Sequence, residues 1–268
     1  MKVDDKQFLN ITSPEISYIL GILWADGYIF KNSIFLWLKK TDSKSIENIF
    51  NKTGNWNIYY RKLKDRKEQM CFNTYNKFIF NFLVKNDYKN KSRLSPNKIL
   101  SEIPNNLKQY FFRGYFDGDG TIYSTKKQSV LNITSTYEQD WTDISKFMDK
   151  LHIKYSISKI RYTNKLNILN SASRIVIQNI NGIVKFCDYI YKDFIGDNIG
   201  LKRKYDIYLI IKDKQIRIDK KRIYKSKIYC THCGSSHFNL RGKYKYGERC
   251  SCKNCNRGFT HKIKINKK

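Results

Sequence analysis

The chain carries the same nine-residue pattern twice, and this repeat constrains the fold more than any other feature. Ile19–Gly27 reads ILGILWADG, and Phe112–Gly120 reads FRGYFDGDG. In each copy an apolar stretch with helical spacing holds two small residues four positions apart, ends in Asp-Gly and continues into a strand-like segment. Internal duplication of this kind predicts two similar half-domains related by a pseudo-twofold axis.

The small residues of the repeat predict a close pair of helices. Gly21 and Ala25 in the first copy, and Gly114 and Gly118 in the second, leave one side of each helix bare. Two helix backbones can therefore pack unusually near each other. We expect each helix to end at the Gly of its Asp-Gly pair, because glycine tolerates a left-handed turn at that position.

The two aspartates of the repeat, Asp26 and Asp119, then meet at adjacent helix C-termini. Two carboxylates and two negative dipole ends repel each other unless a divalent cation lies between them. Oxygen ligands of this type suit Mg²⁺, with Mn²⁺ as the alternative ion. A single Asp-Gly pair is explained by a simple turn, but two copies in the same helical context favour an active site.

These motifs resemble those of the LAGLIDADG homing endonucleases, in the form with both motifs on one chain, over roughly residues 10 to 210. The resemblance implies that the acidic residue before each final Gly holds a metal, which here means Asp26 and Asp119, with Ala25 and Gly118 beside them at the magnesium site. The first copy has Trp24 where the second has an aspartate, which predicts unequal halves.

The same resemblance implies the fold and the reaction. The fold is α+β, with two pseudo-symmetric αββαββα half-domains whose four-stranded sheets form a DNA-binding saddle. The reaction is phosphodiester hydrolysis on both strands of a long, non-palindromic site, which leaves short 3′ overhangs. Family members also place a Lys or Gln beside each metal site to orient and polarise the attacking water.

Four positions match those water-orienting residues by context. Lys39 ends an apolar strand, and Lys91 lies in the first half between Asn90 and Ser92. The corresponding positions of the second half are Ser135 and Lys202. In a chain with 52 Lys and Arg residues, any one lysine is by default a phosphate or solvent contact.

Charge indicates a nucleic-acid partner independently of the motifs. The 52 basic residues outnumber 23 acidic ones, which gives a net charge of +29 and predicts affinity for polyanions that falls steeply with salt. No apolar run approaches the length of a spanning helix, and the N-terminal segment lacks the core of a signal peptide. We therefore expect a monomer in the cytoplasm, associated with a nucleoid or encoded by a phage, with an organelle left open.

Periodicity predicts the same order of elements in each half, namely helix, hairpin, helix, hairpin, helix. In the first half these are a helix opened by Ser13 and Pro14, a hairpin over residues 28–40, a helix at 42–50, a hairpin at 58–73 and a helix at 76–84. In the second half they are a helix from Asn106, a hairpin at 122–135, a helix at 139–151, a hairpin at 157–177 and a helix at 180–191.

Basic residues on the predicted ribbons are candidate DNA contacts, because a two-stranded ribbon fits the major groove. Strand alternation prevents all of them from lying on one face, so only some would read bases. Further candidates lie after the second half and in the C-terminal segment. The full set is Arg61, Lys62, Lys64, Lys159, Arg161, Arg203, Arg241, Lys243 and Arg257.

The C-terminal segment has the spacing of a zinc ribbon. Cys230 and Cys233 form one CxxC pair, and Cys252 and Cys255 form a second after eighteen intervening residues. Cys250 is an alternative to Cys252, which the spacing of the second knuckle favours. The segment resembles the ribbons of transposase-type DNA-binding modules. The predicted domains are 1–100 and 101–212 for the two halves, 213–229 for a basic linker and 230–268 for the zinc ribbon.

The sequence thus predicts a site-specific, metal-dependent DNA endonuclease from an intron or a free-standing gene. Two alternatives remain open. One is an RNA maturase that uses the same surface and charge to bind intron RNA. The other is a transcription regulator with a decayed nuclease fold, which is disfavoured because both motif aspartates are present.

Overall fold

The computed structural model describes residues 5–62, 68–163, 169–226, 228–244 and 247–262. The chain divides into two compact units, Met1–Lys212 and Asp213–Lys268. Within the described residues, no helix combines the length and the apolar character that crossing a bilayer requires.

The first half follows the predicted order of elements, with one added helix before the second motif. Ser13 caps the first helix by accepting a hydrogen bond from the backbone N–H of Ile16, and Pro14 occupies its first turn. The elements are α1 (Pro14–Asp26), β1 (Tyr28–Phe30), β2 (Ser33–Lys39), α2 (Lys40–Lys52), β3 (Asn57–Arg61), β4 (Gln69–Thr74), α3 (Lys77–Lys85) and α4 (Asn97–Glu102).

The second half repeats this order and ends in a long helix. A short 3₁₀ turn over Asn105–Leu107 precedes its motif helix, so the α-helix begins at Lys108 rather than at Asn106. The elements are α5 (Lys108–Asp119), β5 (Gly120–Ser124), β6 (Ser129–Ser135), α6 (Thr142–Lys150), β7 (Ser156–Thr163), β8 (Leu169–Ile177), α7 (Ile180–Ile190), α8 (Phe194–Asp197) and α9 (Lys202–Ser226).

Each half contains one four-stranded antiparallel sheet, as the α+β prediction requires. The strand orders are β1-β2-β4-β3 and β5-β6-β8-β7, which are equivalent in the two halves. Tyr28 pairs with Phe35 in the first sheet, and Thr121 pairs with Asn132 in the second. These pairs set the residue-by-residue correspondence between the halves.

One buried apolar cluster joins the two halves. On the strands, every second side chain belongs to it, as at Leu36 and Leu38 in β2 and at Leu131 and Ile133 in β6. The motif helices α1 and α5 lie at its centre, and their apolar residues are almost all buried. The opposite face of each sheet lies outside the cluster, and we call it the open face of that sheet.

The second unit is built around a three-stranded antiparallel sheet with the order β11-β10-β9. Its strands are β9 (Phe238–Tyr244), β10 (Gly247–Cys252) and β11 (Gly258–Lys262). Its core is small and consists of Ile228, Cys230, Cys250, Cys252 and Phe259. The segment that the sequence indicated as a linker, residues 213–229, is helical as far as Ser226, because α9 continues through it.

Candidate active site

The motif helices α1 and α5 pack with their backbones in contact. A Cβ atom built on Gly21 would lie 2.0 Å from the carbonyl oxygen of Phe111, and one built on Gly114 would lie 2.1 Å from that of Tyr18. Neither position has room for any side chain. The close approach predicted from the small residues is therefore correct, and glycine is required at both crossing points.

The glycines that follow the motif aspartates have a different role from the predicted one. Gly27 and Gly120 have extended backbones, with φ of −74° and −84°, so neither adopts a left-handed turn. Lack of space is what excludes a side chain at both positions. A Cβ on Gly27 would lie 2.5 Å from the hydroxyl oxygen of Tyr88, and one on Gly120 would lie 2.1 Å from the ring of Phe116.

Asp26 and Asp119 are the last residues of α1 and α5, so both carboxylates lie at helix C-termini. The carboxylate of Asp26 lies across the seam against the other helix, since a Cβ on Gly118 would be 3.2 Å from its Oδ2 atom. Burial, followed by the charge of Asp26, raises the pKa of Asp119 to about 7. Burial also raises the pKa of Asp26. A proton or a cation is thus favoured between them.

Lys91 lies at the C-terminal end of the first motif helix. Its Nζ atom donates hydrogen bonds to the carbonyl oxygens of Trp24 and Ala25, at 2.6 and 2.5 Å. Burial lowers the pKa of Lys91, against the attraction of Asp119 and Asp26. The charge of this lysine therefore acts on both carboxylates, and it also satisfies carbonyls that a helix C-terminus leaves unpaired.

Lys204 holds the same position at the end of the second motif helix. Its Nζ atom donates to the carbonyl oxygens of Phe116, Asp117 and Gly120, at 2.6, 2.9 and 2.5 Å. Its side chain is buried, and this burial lowers its pKa to about 8. The second motif helix is thus capped by a buried lysine in the same way as the first.

Lys202, which the resemblance to the family matched to this position, lies elsewhere. It lies on the exposed first turn of α9, where its ammonium group pairs with Asp206 at 2.7 Å. The correction has a simple cause, because Leu201, Lys204, Tyr208 and Ile211 form the buried stripe of this helix. Spacing of three and four residues would have selected Lys204 from the sequence.

The departure of the first motif at Trp24 does mark a difference between the halves. Its counterpart Asp117 is fully buried and accepts hydrogen bonds from the hydroxyl of Tyr18, at 2.9 Å, and from the backbone N–H of Leu201, at 2.8 Å. Burial raises the pKa of Asp117. Asp117 therefore joins the two motif helices to Leu201, which comes directly before α9.

Lys39 lies at the exposed end of β2 and lines a surface pocket together with Lys40, Lys44 and Glu68. The strand register shows that its counterpart in the second half is Thr136, one residue beyond the expected Ser135. Ser135 faces the core side and donates to the side-chain oxygen of Gln139 at 2.7 Å.

A family model matches the second half of the first unit. Residues 106–191 match the family model described as "LAGLIDADG-like domain". The second half thus resembles a LAGLIDADG-like domain. Its match covers α5, both hairpins of the sheet and α7, which are the elements repeated in the first half.

Two curated proteins of Methanocaldococcus jannaschii resemble the chain. One is named "DNA polymerase" and is 25% identical over 170 residues, which are 56% of this chain and 10% of that protein. The other is an uncharacterized protein, 29% identical over 129 residues, which are 45% of this chain and 44% of that protein. The chain therefore spans less than half the length of either relative.

A solved structure titled "The homing endonuclease I-WcaI bound to its DNA recognition sequence" also resembles the chain. The two are 17% identical, and their superposition has a TM-score of 0.48. It covers 76% of this chain and 89% of that one.

The basic residues expected on the ribbons are divided between the two faces of the sheets in the two halves of the first unit. Arg61 lies on the open face of the first sheet, in one row with Gln69 and Lys39, and Lys62 follows it at the strand end. Lys64 lies outside the described residues. Arg61 and Lys39 therefore lie side by side in one row across the open face, on either side of Gln69.

Lys159 and Arg161 lie on the side of β7 opposite to the open face of the second sheet, and both side chains are exposed. Lys159 pairs in register with Ser173, which is buried and accepts a hydrogen bond from Trp141. Both cations lie over the ring of Tyr137, at 4.3 and 5.4 Å from its centroid. Alternation along β7 and β8 instead places Arg174 on the open face, a residue that sequence reasoning missed.

Arg203 forms an ion pair with Asp42 and keeps about half of its side chain (54%) exposed. Its Nε and Nη2 atoms donate to the two carboxylate oxygens of Asp42, at 2.7 and 2.8 Å. This bidentate pair connects the first turn of α9 to α2. Three other predicted DNA contacts, Arg241, Lys243 and Arg257, are exposed in the second unit.

The second unit brings four predicted zinc ligands together. The Sγ atoms of Cys230, Cys233, Cys252 and Cys255 all lie within 4.8 Å of one another. The Cys230–Cys255 and Cys233–Cys252 pairs are 3.7 and 3.5 Å apart. A tetrahedral zinc ion with Zn–S bonds of about 2.3 Å places its sulfurs about 3.8 Å apart, so the cluster fits structural Zn²⁺.

Cys250 is outside that cluster. It is buried in the small core of the second unit, and its thiol is directed to the carbonyl oxygen of Glu248. Backbone N–H groups of His232 and Asn254 donate to the sulfurs of Cys230 and Cys252. Backbone hydrogen bonds from Cys255 and Asn254 lower the pKa of Cys252 to about 6, which suits a metal ligand. The position of Cys252 in the cluster, from which Cys250 is absent, favours Cys252 as the ligand.

The raised pKa of Asp119 predicts a pH-dependent stability of the metal-free protein. Its folded-state pKa of about 7 lies above the ordinary 3.8, so the stabilisation is complete below pH 4 and is lost as pH rises through 7. We expect Asp119→Asn to raise the melting temperature at pH 8 by roughly 2–6 °C and to have little effect at pH 4.5. Thermal unfolding without added magnesium measures this, and equal shifts at both pH values would contradict it.

Proposed function

We propose that the protein is a site-specific homing endonuclease that hydrolyses one phosphodiester bond in each strand of a long, non-palindromic duplex. The observation that carries the proposal is the meeting of Asp26 and Asp119 at the glycine-lined seam of α1 and α5. The match to a LAGLIDADG-like domain supports it. One chain supplies both halves, which suits a monomer and a target whose two half-sites differ.

The residues at the seam fit a divalent cation such as Mg²⁺. Burial raises the pKa of both carboxylates, so a bound cation would offset the cost of ionising them, and hard oxygen ligands suit this ion. The carbonyl oxygens of Ala25 and Gly118 are further candidate ligands, although that of Ala25 already accepts a hydrogen bond from Lys91. A divalent cation held there would polarise a phosphoryl oxygen and ease deprotonation of the attacking water.

The other roles in the proposed reaction, namely positioning and charge stabilisation, belong to side chains of the protein. We assign Lys91 and Lys204 to holding the ends of α1 and α5 in place, so that the two carboxylates keep their separation. Their buried positive charges also favour an approaching phosphate, and they hold Asp26 and Asp119 closer to the ionised state that a metal requires. Asp117 positions Lys204 through the N-terminus of α9.

Duplex DNA is the proposed partner of the sheets. The net charge of +29 supplies attraction that does not depend on sequence and weakens with salt. The sheets that carry the two open faces begin directly after the motif helices, since β1 and β5 start just beyond Asp26 and Asp119. Side chains on these strands are thus carried next to the bond to be cut.

The test is cleavage of the uninterrupted locus. In the test duplex, the two sequences that flank the gene are joined directly, with the gene left out. This linear DNA is incubated with the full chain and Mg²⁺, and the ends of the products are sequenced. One double-strand break with short 3′ overhangs supports the proposal. Intact DNA together with tight binding of the intron RNA would overturn it in favour of an RNA maturase.

For the second unit we propose an additional DNA clamp held by structural zinc. Replacing one ligand, as in Cys230→Ser, is expected to unfold the cluster and weaken affinity for the target about tenfold or more, because the small core cannot hold the unit alone. The cleavage rate at saturating protein should change less than threefold. Cys250→Ser is the matched control, since it removes a nearby thiol outside the cluster. Equal affinity of both variants and the wild type would refute the clamp.

A further inference from the structure

The open faces of the two sheets differ in chemistry although their strands correspond. In the first sheet, the central row across β2, β4 and β3 is Trp37, Cys71 and Tyr59. In the second sheet, the equivalent row is Thr134, Arg174 and Ser158. An aromatic row in one half therefore takes the place of a polar, cationic row in the other.

The aromatic side chains of the first sheet form one connected surface. Tyr28 stacks on Phe35 with ring centroids 5.3 Å apart, and Trp37 meets Tyr59 edge-to-face at 5.6 Å. The indole N–H of Trp37 donates to the hydroxyl of Tyr28 at 3.2 Å, which joins the two pairs. Tyr28 and Tyr59 keep 44% and 42% of their surface exposed. We call these four residues the aromatic face.

The position of the aromatic face indicates what covers it. Tyr28 lies two residues beyond Asp26, so the face begins beside the candidate active site. Lys39 and Arg61 lie in the neighbouring row and provide positive charge next to it. A partner that meets both apolar rings and cations on one sheet, and that also reaches the two carboxylates, has the chemistry of duplex DNA with bases and phosphates.

We propose that the aromatic face reads thymine C5-methyl groups in the major groove of one half-site, whereas the second sheet reads its half-site through hydrogen bonds. This inference rests on the proposed function and specifies its substrate. Thymine carries the one apolar group that the major groove displays, and apolar side chains recognise it by contact. Aromatic rings bury such a methyl without needing a hydrogen-bond partner.

The second sheet has the groups that direct hydrogen-bond readout requires. The Nε atom of Arg174 donates to Ser158 at 3.2 Å, which orients the guanidinium in the row that replaces the aromatic one. Arginine is suited to the O6 and N7 atoms of guanine, and the neighbouring Thr134 and Asn132 are donors and acceptors. The two half-sites are therefore expected to differ in their dependence on thymine methyls.

The experiment uses DNA in which deoxyuridine replaces thymidine, because this removes the methyl groups and leaves base pairing and the protein unchanged. A duplex is first selected from a randomised library by binding to the full chain. All thymines are then replaced in one half-site at a time, and the dissociation constant of each duplex is measured. We expect about a fourfold loss of affinity for each contacted methyl in one half-site, and less than twofold in total in the other.

The variant Trp37→Thr/Tyr59→Ser gives the first sheet the polar row of the second, and it identifies the half-site involved. It should lose the deoxyuridine effect while Arg174→Ala keeps it; circular dichroism checks that each variant is folded. Equal effects in both half-sites, or none in either, would overturn the inference. Preference for single strands over every duplex would overturn it as well, since the aromatic face would then stack on unpaired bases. Cleavage of the selected duplex with Mg²⁺ tests the proposed nuclease separately.

Discussion

Replacing Asp26 or Asp119 with Asn is expected to abolish double-strand cleavage while leaving DNA binding within about threefold of wild type. Both carboxylates lie at the seam of α1 and α5, burial raises the pKa of both, and the charge of Asp26 further raises that of Asp119. An amide is neutral and a weak metal ligand, so either change removes the charge pair that favours a cation. Loss of an electrostatic group of this kind costs about 10³-fold or more in rate.

Supercoiled plasmid carrying the target site separates the two strands of the reaction. Nicked circles measure cutting of one strand, and linear product measures cutting of both, while filter binding or mobility shift measures affinity. Asp206→Asn is the matched control, because this aspartate is exposed on α9 and pairs only with Lys202 among the contacts described for it. Wild-type linearisation by both Asp26→Asn and Asp119→Asn would remove the basis of the assignment.

Much of the fold was predictable because the repeated motif determines it locally. The two hairpins, the three helices of each half and the pairing of α1 with α5 all follow from periodicity and from small residues at fixed spacing. The crossing glycines are informative even in isolation, since no side chain fits at Gly21 or Gly114. The four zinc-ligand cysteines were equally predictable, because two CxxC pairs at ribbon spacing leave few alternatives.

Two parts of the candidate site were not predictable by matching positions between the halves. The offset between the first and second copies changes along the chain, since the β5–β6 turn is longer than the β1–β2 turn. Counting along the sequence therefore matched Lys39 with Ser135, which comes one residue before its counterpart Thr136. Likewise, Lys159 and Arg161 are on a ribbon, but which face they occupy depends on the register with β8, which composition does not reveal.

The choice between Lys202 and Lys204 illustrates the same limit and the information that overcomes it. Both follow Leu201 closely, and a motif match alone does not distinguish them. The helical stripe of Leu201, Tyr208 and Ile211 does, because it turns Lys204 inwards and Lys202 outwards. Burial next to a helix C-terminus then gives Lys204 three carbonyl partners.

Replacing Lys204, with Lys202 as the comparison, is expected to have the second large effect on cleavage. Lys204→Met should lower the cleavage rate at pH 7 by about 10²-fold or more and reduce the free energy of unfolding by about 2–4 kcal/mol. The change leaves the carbonyls of Phe116, Asp117 and Gly120 without their shared donor. Lys202→Met removes an exposed ion pair on the same turn of helix, and we expect less than a twofold change in rate.

The pH dependence of cleavage distinguishes an electrostatic role of Lys204 from a structural one. The ammonium group lowers the pKa of both Asp26 and Asp119, so its removal raises them. More protons then compete with the metal, and the acidic limb of the rate profile of Lys204→Met should move to higher pH, whereas that of Lys202→Met should coincide with wild type. A variant that is less stable but has an unshifted limb would show that Lys204 only holds the helix end. An unchanged rate at pH 7 would show that the seam works without it.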